Sequence, residues 1–374
     1  MKLSALTKKI TATLSATALA FTLSYAPTPA PKAEAANIWG VLIGGAVYAT
    51  QLDNEIRAVN NDEKGRQQFF QRLKQQYGVN EDPELNQRLD NIMANLTEAI
   101  AKVDPSIEKK PYNYFINKDT SLNAFCTLGH NMSVNTGIFN YIKNDDEIAV
   151  ILGHEMGHGQ KDHPAKGARK SILPMIVAST VDNIGGLILA NALNNQGITK
   201  PMEKEADALA FEYITHSNYN PGACAAVWQR VIDQSGDNPD NFLTFLAGGS
   251  DHPSHASRRD EYAKKLYEYS KKTVSVEKNT VKINGQKFTD ISATQDMSAN
   301  ERAYFIAGNL AAAYRNGYNK ENVTANDGVL YMGAQAIMQP LNDDEPINVL
   351  QERLDFIKTA YPTKKDKDED KDDE

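Results

Sequence analysis

The sequence is poor in cysteine and carries no excess of positive charge, and each shortage excludes a class of protein. Two cysteines in 374 residues, Cys126 and Cys224, cannot build a disulfide scaffold or a four-cysteine zinc site. They permit one bond, and in an oxidising compartment the even count makes Cys126–Cys224 the expected disulfide. Lys and Arg number 40 against 48 Asp and Glu, a formal net charge of −8. A surface of that sign disfavours nucleic acid and anionic lipid as partners. Long apolar runs are also missing. The stretch 37–49 is too short to span a bilayer, and 171–195 is broken by Pro174, Asp182 and Gly185–Gly186.

What is present begins with a leader. Lys2, Lys8 and Lys9 precede an apolar run from Ile10 to about Ala26, and Ala33 and Ala35 offer a small-residue cleavage site. Residues 1–35 are therefore expected to be a signal peptide, cut at Ala26 or Ala35. The mature protein is expected in the periplasm, the cell envelope or the medium, with no stable membrane span. The expected domains are a main domain over 36–271, a small α/β accessory region over 272–363 and a disordered acidic tail over 364–374.

Periodicity predicts helices over 52–76 and 83–102 and strands over 112–117 and 132–136. Asn144 can cap a helix, with Glu147 reaching back to close a capping box. Further helices are expected from Pro201, from Ala223 and up to about Lys272. Asn284–Gly285 marks a hairpin, and helices are expected over 298–316 and 326–339. No segment recurs at a fixed period, so no repeat is expected.

The chemistry lies in "HEMGH", His154 to His158. Residues at i and i+4 share one helical face, so both imidazoles can point at one ion. Glu155 is turned about a quarter-circle away and can reach a water on that ion as a general base. A third ligand is needed. A histidine and glycine at metzincin spacing are missing: Gly159 and His163 stand at the wrong offsets. No glutamate occurs between Gly159 and Met202, so the thermolysin-like spacing of about twenty residues fails as well. The first candidates are Glu203 and Glu205. Glu203 shares a face with Asp207, which could orient a ligand histidine, whereas Glu205 points nearly opposite. His163 reads as a structural or helix-end histidine.

These motifs, with "YGVNEDPELNQRL", "NAFCTLGHNMSVNTGI", "EKEADALA" and "DHPSHASR", resemble the HExxH zinc metallopeptidases of the CAAX prenyl protease, HtpX and BepA type, in their soluble, exported branch. The resemblance covers about Gln76 to Arg258. It implies a helix-rich α+β, gluzincin-like zincin with a small sheet and an edge strand beside the HExxH helix. It implies His154, His158 and Glu203 as ligands of one Zn2+ per chain, Glu155 as base and Asp207 as the residue behind a ligand. His252 and Arg258 fall at the family's His-Pro-x-x-x-x-Arg positions and would assist catalysis: the forked Arg258 suits an oxyanion or a carboxylate in the site, and His252 could donate to the oxyanion or close the fourth zinc position. Asn123, Ala124 and Phe125 would form the strand to which an extended substrate adds.

Two functions compete. The first is a zinc endopeptidase acting on unfolded or misassembled envelope proteins. The second is a chaperone-like envelope protein whose zinc site is mostly closed and cleaves little. An intact Glu155 favours the first, since a structural site has no use for a base. The oligomeric state is not legible.

Overall fold

The computed structural model describes residues 38–178, 187–188, 197–235 and 254–361. The expected leader, most of the apolar stretch 171–195, His252 and the acidic tail lie outside the described residues. The chain divides into two compact units, Met1–Val47 and Tyr48–Glu374. Among the described residues no helix is long and apolar enough to cross a membrane.

Helices α1 (Ile38–Asn61), α2 (Glu63–Tyr77) and α3 (Pro83–Val103) come first. The single helix expected over 52–76 is thus two, parted at Asp62, whose extended ψ of 128° breaks the run. Asp82 caps α3 by accepting from the N–H groups of Glu84 and Leu85, with Pro83 in the first turn. Strands β1 (Asn113–Asn117), β2 (Ala124–Thr127) and β3 (Asn131–Asn135) form a mixed sheet in the order β1-β3-β2. β1 runs parallel to β3 and β2 antiparallel to it, which leaves β2 at an edge.

After the short helix α4 (Thr136–Tyr141) comes α5 (Asp145–Gln160), which carries the HEMGH motif. Asn144 caps it by accepting from Asp146 N–H at 2.8 Å. Glu147 does not close the expected capping box. Its carboxylate is buried and bidentate on Arg230, a stronger partner than a backbone N–H. Then follow α6 (His163–Ala178), α7 (Lys200–Thr215), α8 (Ala223–Ser235) and α9 (His255–Tyr269). α5 packs most extensively on α7, and also touches β2, α3 and α8.

The C-terminal region differs from expectation. Strands β4 (Val274–Glu277), β5 (Thr280–Ile283) and β6 (Gln286–Asp290) form a meander followed by α10 (Ala299–Arg315). The segment 326–339 is not a helix. It belongs to a second meander of β7 (Val323–Asn326), β8 (Val329–Met332) and β9 (Gln335–Met338), followed by α11 (Ile347–Ala360). Asp327 and Gly328, at φ 49° and 77°, turn β7 into β8. Asp-Gly favours that left-handed pair of conformations and ends a helix before it starts.

The two meanders are copies of one another. Val274 corresponds to Val323, Asn284 to Gly333 and Gln286 to Gln335, and the register shift at Val281/Lys282 recurs at Leu330/Tyr331. Their helices are exchanged in part: α10 packs on β4, β5 and β9, and α11 on β7, β8 and β6. The result is an internally duplicated unit. One continuous apolar core runs from Leu89 on α3 through α5, α8 and α10 to Ile357 on α11.

Candidate metal centre

Two glycines line the helix contact beneath the site, and the second of them sets its spacing. Gly153 and Gly157 lie on the side of α5 that faces α7, where a Cβ on Gly157 would stand 3.3 Å from the backbone of Ala206. Only glycine lets two helices approach so closely. Glu203, one turn before Ala206, is thereby brought opposite the motif histidines.

The Nε2 atoms of His154 and His158 are 3.1 Å apart. Glu203 Oε2 lies 3.4 Å from His154 Nε2, and Glu203 Oε1 lies 3.3 Å from His158 Nε2. Two donors each about 2.0–2.1 Å from one ion at tetrahedral angles stand roughly 3.3 Å apart. The three buried side chains thus have the donor types and spacing of a metal site. Burial and Arg258 oppose charge on His154, but its bonds to Asp207 and Glu203 prevail and raise it to about 9. Burial also works against ionised Glu203, yet the two histidines hold its carboxyl well below the usual range.

Each histidine is fixed from behind. His154 Nδ1 lies 2.9 Å from Asp207 Oδ1. Arg258 Nε donates to Asp207 Oδ2 at 2.8 Å, Arg258 Nη2 also donates to Asp207, and Tyr262 OH donates to it at 3.0 Å. Burial opposes a charge on Asp207, but Arg258 outweighs it and lowers the carboxyl to about 2. Arg258 also stacks on Trp228, its guanidinium 3.7 Å from the ring centre. His158 Nδ1 lies 3.0 Å from His163 Nδ1, whose Nε2 lies 3.1 Å from Glu205 Oε2. Burial, with His158 beside it, lowers His163 to about 4, so it is neutral near pH 7.

Glu155 is buried behind this cluster. Its Oε2 accepts from the backbone N–H of Cys126 on β2 at 2.9 Å. Burial pushes its pKa up against the pull of both histidines. Asn123, Ala124 and Phe125 lead into and along this edge strand, and all three are buried. Asn123 Oδ1 and Thr127 Oγ1 have no hydrogen-bond partner among the described residues.

Three expectations need comment. Cys126 and Cys224 are both free and buried, so the expected disulfide is not formed. The charged groups around Cys126 are Glu155, Lys110 and Asp162, and those around Cys224 are Asp207, Asp146 and Lys265. The two thiols occupy different surroundings, with α5 contacting the elements that carry both. Arg258 belongs to the cluster, with Nε and Nη2 donating to Asp207 and Nη2 also 3.2 Å from His154 Nδ1. His252 lies outside the described residues. Sequence reasoning also set His163 and Glu205 apart, although Glu205 reaches the cluster through His163. The signal was His163 five residues past His158, on the next helix start.

Residues 83–265 match peptidase family M48. The chain is 26% identical over 187 residues to a putative beta-barrel assembly-enhancing protease of Vibrio cholerae, covering 44% of this chain and 37% of that protein. It is 29% identical over 141 residues to the mitochondrial metalloendopeptidase OMA1 of Arabidopsis thaliana, covering 37% and 28%. Against the OMA1 of Schizosaccharomyces pombe it is 26% identical over 255 residues, covering 63% and 73%. The chain thus spans about a third of the length of the first two relatives. With the HExxH helix, the downstream glutamate and the matched segment in agreement, residues 83–265 form a peptidase family M48 domain.

Proposed function

We propose that this protein is a zinc-dependent endopeptidase that hydrolyses peptide bonds in unfolded or misassembled cell-envelope proteins. The observation that carries the reading is the convergence of His154 Nε2, His158 Nε2 and Glu203 at ligand spacing, with buried Glu155 adjoining. His154, His158 and Glu203 would hold one zinc per chain. Bound there, zinc supplies a Lewis acid that activates water and polarises the scissile carbonyl.

The chain's own residues do the rest. Glu155, with one oxygen fixed by Cys126 N–H, accepts the proton of the attacking water and passes it to the departing amine. Its raised pKa suits both halves of that transfer. The edge of β2 at Asn123–Phe125 receives an extended peptide by strand addition, and the buried, unbonded Asn123 Oδ1 supports this by offering an acceptor. Asp207 and Arg258 position His154, and His252, which precedes α9 in the sequence, would assist catalysis.

The substrate class is supported by relatives named beta-barrel assembly-enhancing proteases. We place the protein outside the cytoplasm on the strength of the leader at 1–35. The metallopeptidase domain would occupy 36–271 and the accessory region 272–363. The test is degradation of unfolded casein with and without chelator, beside Glu155→Gln. Chelation should abolish cleavage, and Glu155→Gln should hold zinc yet lose nearly all turnover. Undiminished cleavage by Glu155→Gln would reject the mechanism. Stoichiometric zinc without cleavage, together with suppression of aggregation, would favour the chaperone-like reading.

A further inference from the structure

The two histidines of the motif are held by unlike partners. His154 Nδ1 meets a carboxylate, Asp207, at 2.9 Å. His158 Nδ1 meets another imidazole nitrogen, His163 Nδ1, at 3.0 Å. Two ring nitrogens at that distance share one proton, so one donates and the other accepts. The direction of that bond decides which nitrogen of His158 carries the lone pair.

We propose that His163 and Glu205 are positioning residues that fix the tautomer of His158. Glu205 Oε2 lies 3.1 Å from His163 Nε2. An ionised carboxylate has nothing to donate, so His163 must place its proton on Nε2. A neutral imidazole with its proton on Nε2 has an acceptor at Nδ1. His158 then donates from its own Nδ1, and its Nε2 is left as a lone pair facing His154 Nε2 and Glu203 Oε1. The opposite direction would put a proton on His158 Nε2, aimed at the place where a cation has to sit. His163 is 1% exposed, so water does not compete for its nitrogens. Glu205 is half-exposed, with Lys161 Nζ 3.8 Å from its carboxylate. Glu205 therefore acts two bonds away from the site, from the side of α7 opposite Glu203.

The proposal rests on the metal reading above, and the experiment separates the two. Zinc affinity is measured by competition with a chromophoric chelator, and the visible absorption of the Co2+-substituted protein reports ligand geometry. His163→Ala should weaken binding roughly 10- to 100-fold, as is usual when a ligand histidine loses its partner. His163→Asn should restore it, because the Asn oxygen falls near the Nδ1 position and accepts from His158 without needing Glu205. Glu205→Ala should weaken binding several-fold in the native background and not at all in the His163→Asn background, while the site still fills with one zinc at saturation. Glu205→Gln, which keeps an acceptor oxygen, should stay near wild type. A Glu205→Ala penalty of equal size in both backgrounds would show a general structural effect and overturn the proposal. So would His163→Ala with wild-type affinity and an unchanged Co2+ spectrum. If His154→Ala also binds like wild type, the metal reading falls, and the proposal with it.

Discussion

Arg258 shows how one spacing can leave two roles open. A forked cation near a hydrolytic site suits either an oxyanion or a carboxylate. In the fold it is bidentate on Asp207, flat against Trp228 and 3% exposed. It meets the candidate site through Asp207, which lies 2.9 Å from His154 Nδ1. Removing it leaves the buried Asp207 with His154 and Tyr262 but without its guanidinium, and breaking a buried ion pair in this way costs up to about 3–5 kcal/mol. Arg258→Ala should therefore lower the melting temperature and the zinc affinity together. Arg258→Ala combined with Asp207→Asn should regain much of the stability, because neither charge is then stranded. Thermal melts of the two single variants and the double variant check this, and strictly additive losses would contradict it. The cysteines give a second test at this scale. Burial pushes both thiols well above the ordinary range. A thiol reagent should find none in the native protein and two per chain in denaturant without reductant. No thiol in denaturant would restore the disulfide.

At the scale of elements, the contact of α5 with α7 decides whether three ligands can meet. The two glycines of α5 differ in a way that the motif does not reveal. A Cβ on Gly153 would sit 3.8 Å from Ala210 Cα, an ordinary contact, whereas one on Gly157 would sit 3.3 Å from Ala206 Cα and carbonyl oxygen. Backbone on the far side cannot yield without carrying Glu203 along. Gly153→Ala should be neutral or stabilise by up to about 1 kcal/mol through helix propensity. Gly157→Ala should separate the helices by a few tenths of an ångström and weaken zinc binding. Melting temperature and chelator competition measure the pair, and equal behaviour of the two variants would refute the packing argument. The candidate site was legible because its residues obey local rules: His154 and His158 by helical spacing, and Glu203 by its place before Asp207. The helix expected over 326–339 failed for a local reason too, since the Asp327–Gly328 turn was overlooked. The duplication was not legible at all. Most positions of the two meanders keep only their apolar or turn character, as Ile283 and Met332 do, and packing accepts such exchange without preserving identity.

Across the whole molecule, the C-terminal duplicated unit is tied to the HExxH helix by charge as well as by the shared core. Arg230 on α8 holds Glu147 of α5 at 2.9 Å, bonds to Glu301 of α10, and donates to the carbonyl of Asp296 at 3.0 Å. Two buried carboxylates thus share one guanidinium. Burial pushes Glu301 upward and Glu147 beside it adds to the effect, to about 8 from an ordinary 4.5. A carboxyl that holds its proton more tightly when folded stabilises the fold below the unfolded value. As pH rises from about 4.5 to 8 the unfolded chain releases that proton while the folded chain keeps it, and stability falls. His154, raised to about 9, loses its own contribution above about 6.5, in the same direction, so the wild-type curve alone cannot apportion the two. Glu301→Gln isolates the cluster, because the amide is neutral at every pH and Arg230 retains Glu147. Its melting temperature should match wild type near pH 4.5 and exceed it increasingly toward pH 8. Parallel curves for the two proteins would show that Glu301 is already ionised when folded, and that Arg230 alone balances both carboxylates between α5 and α10.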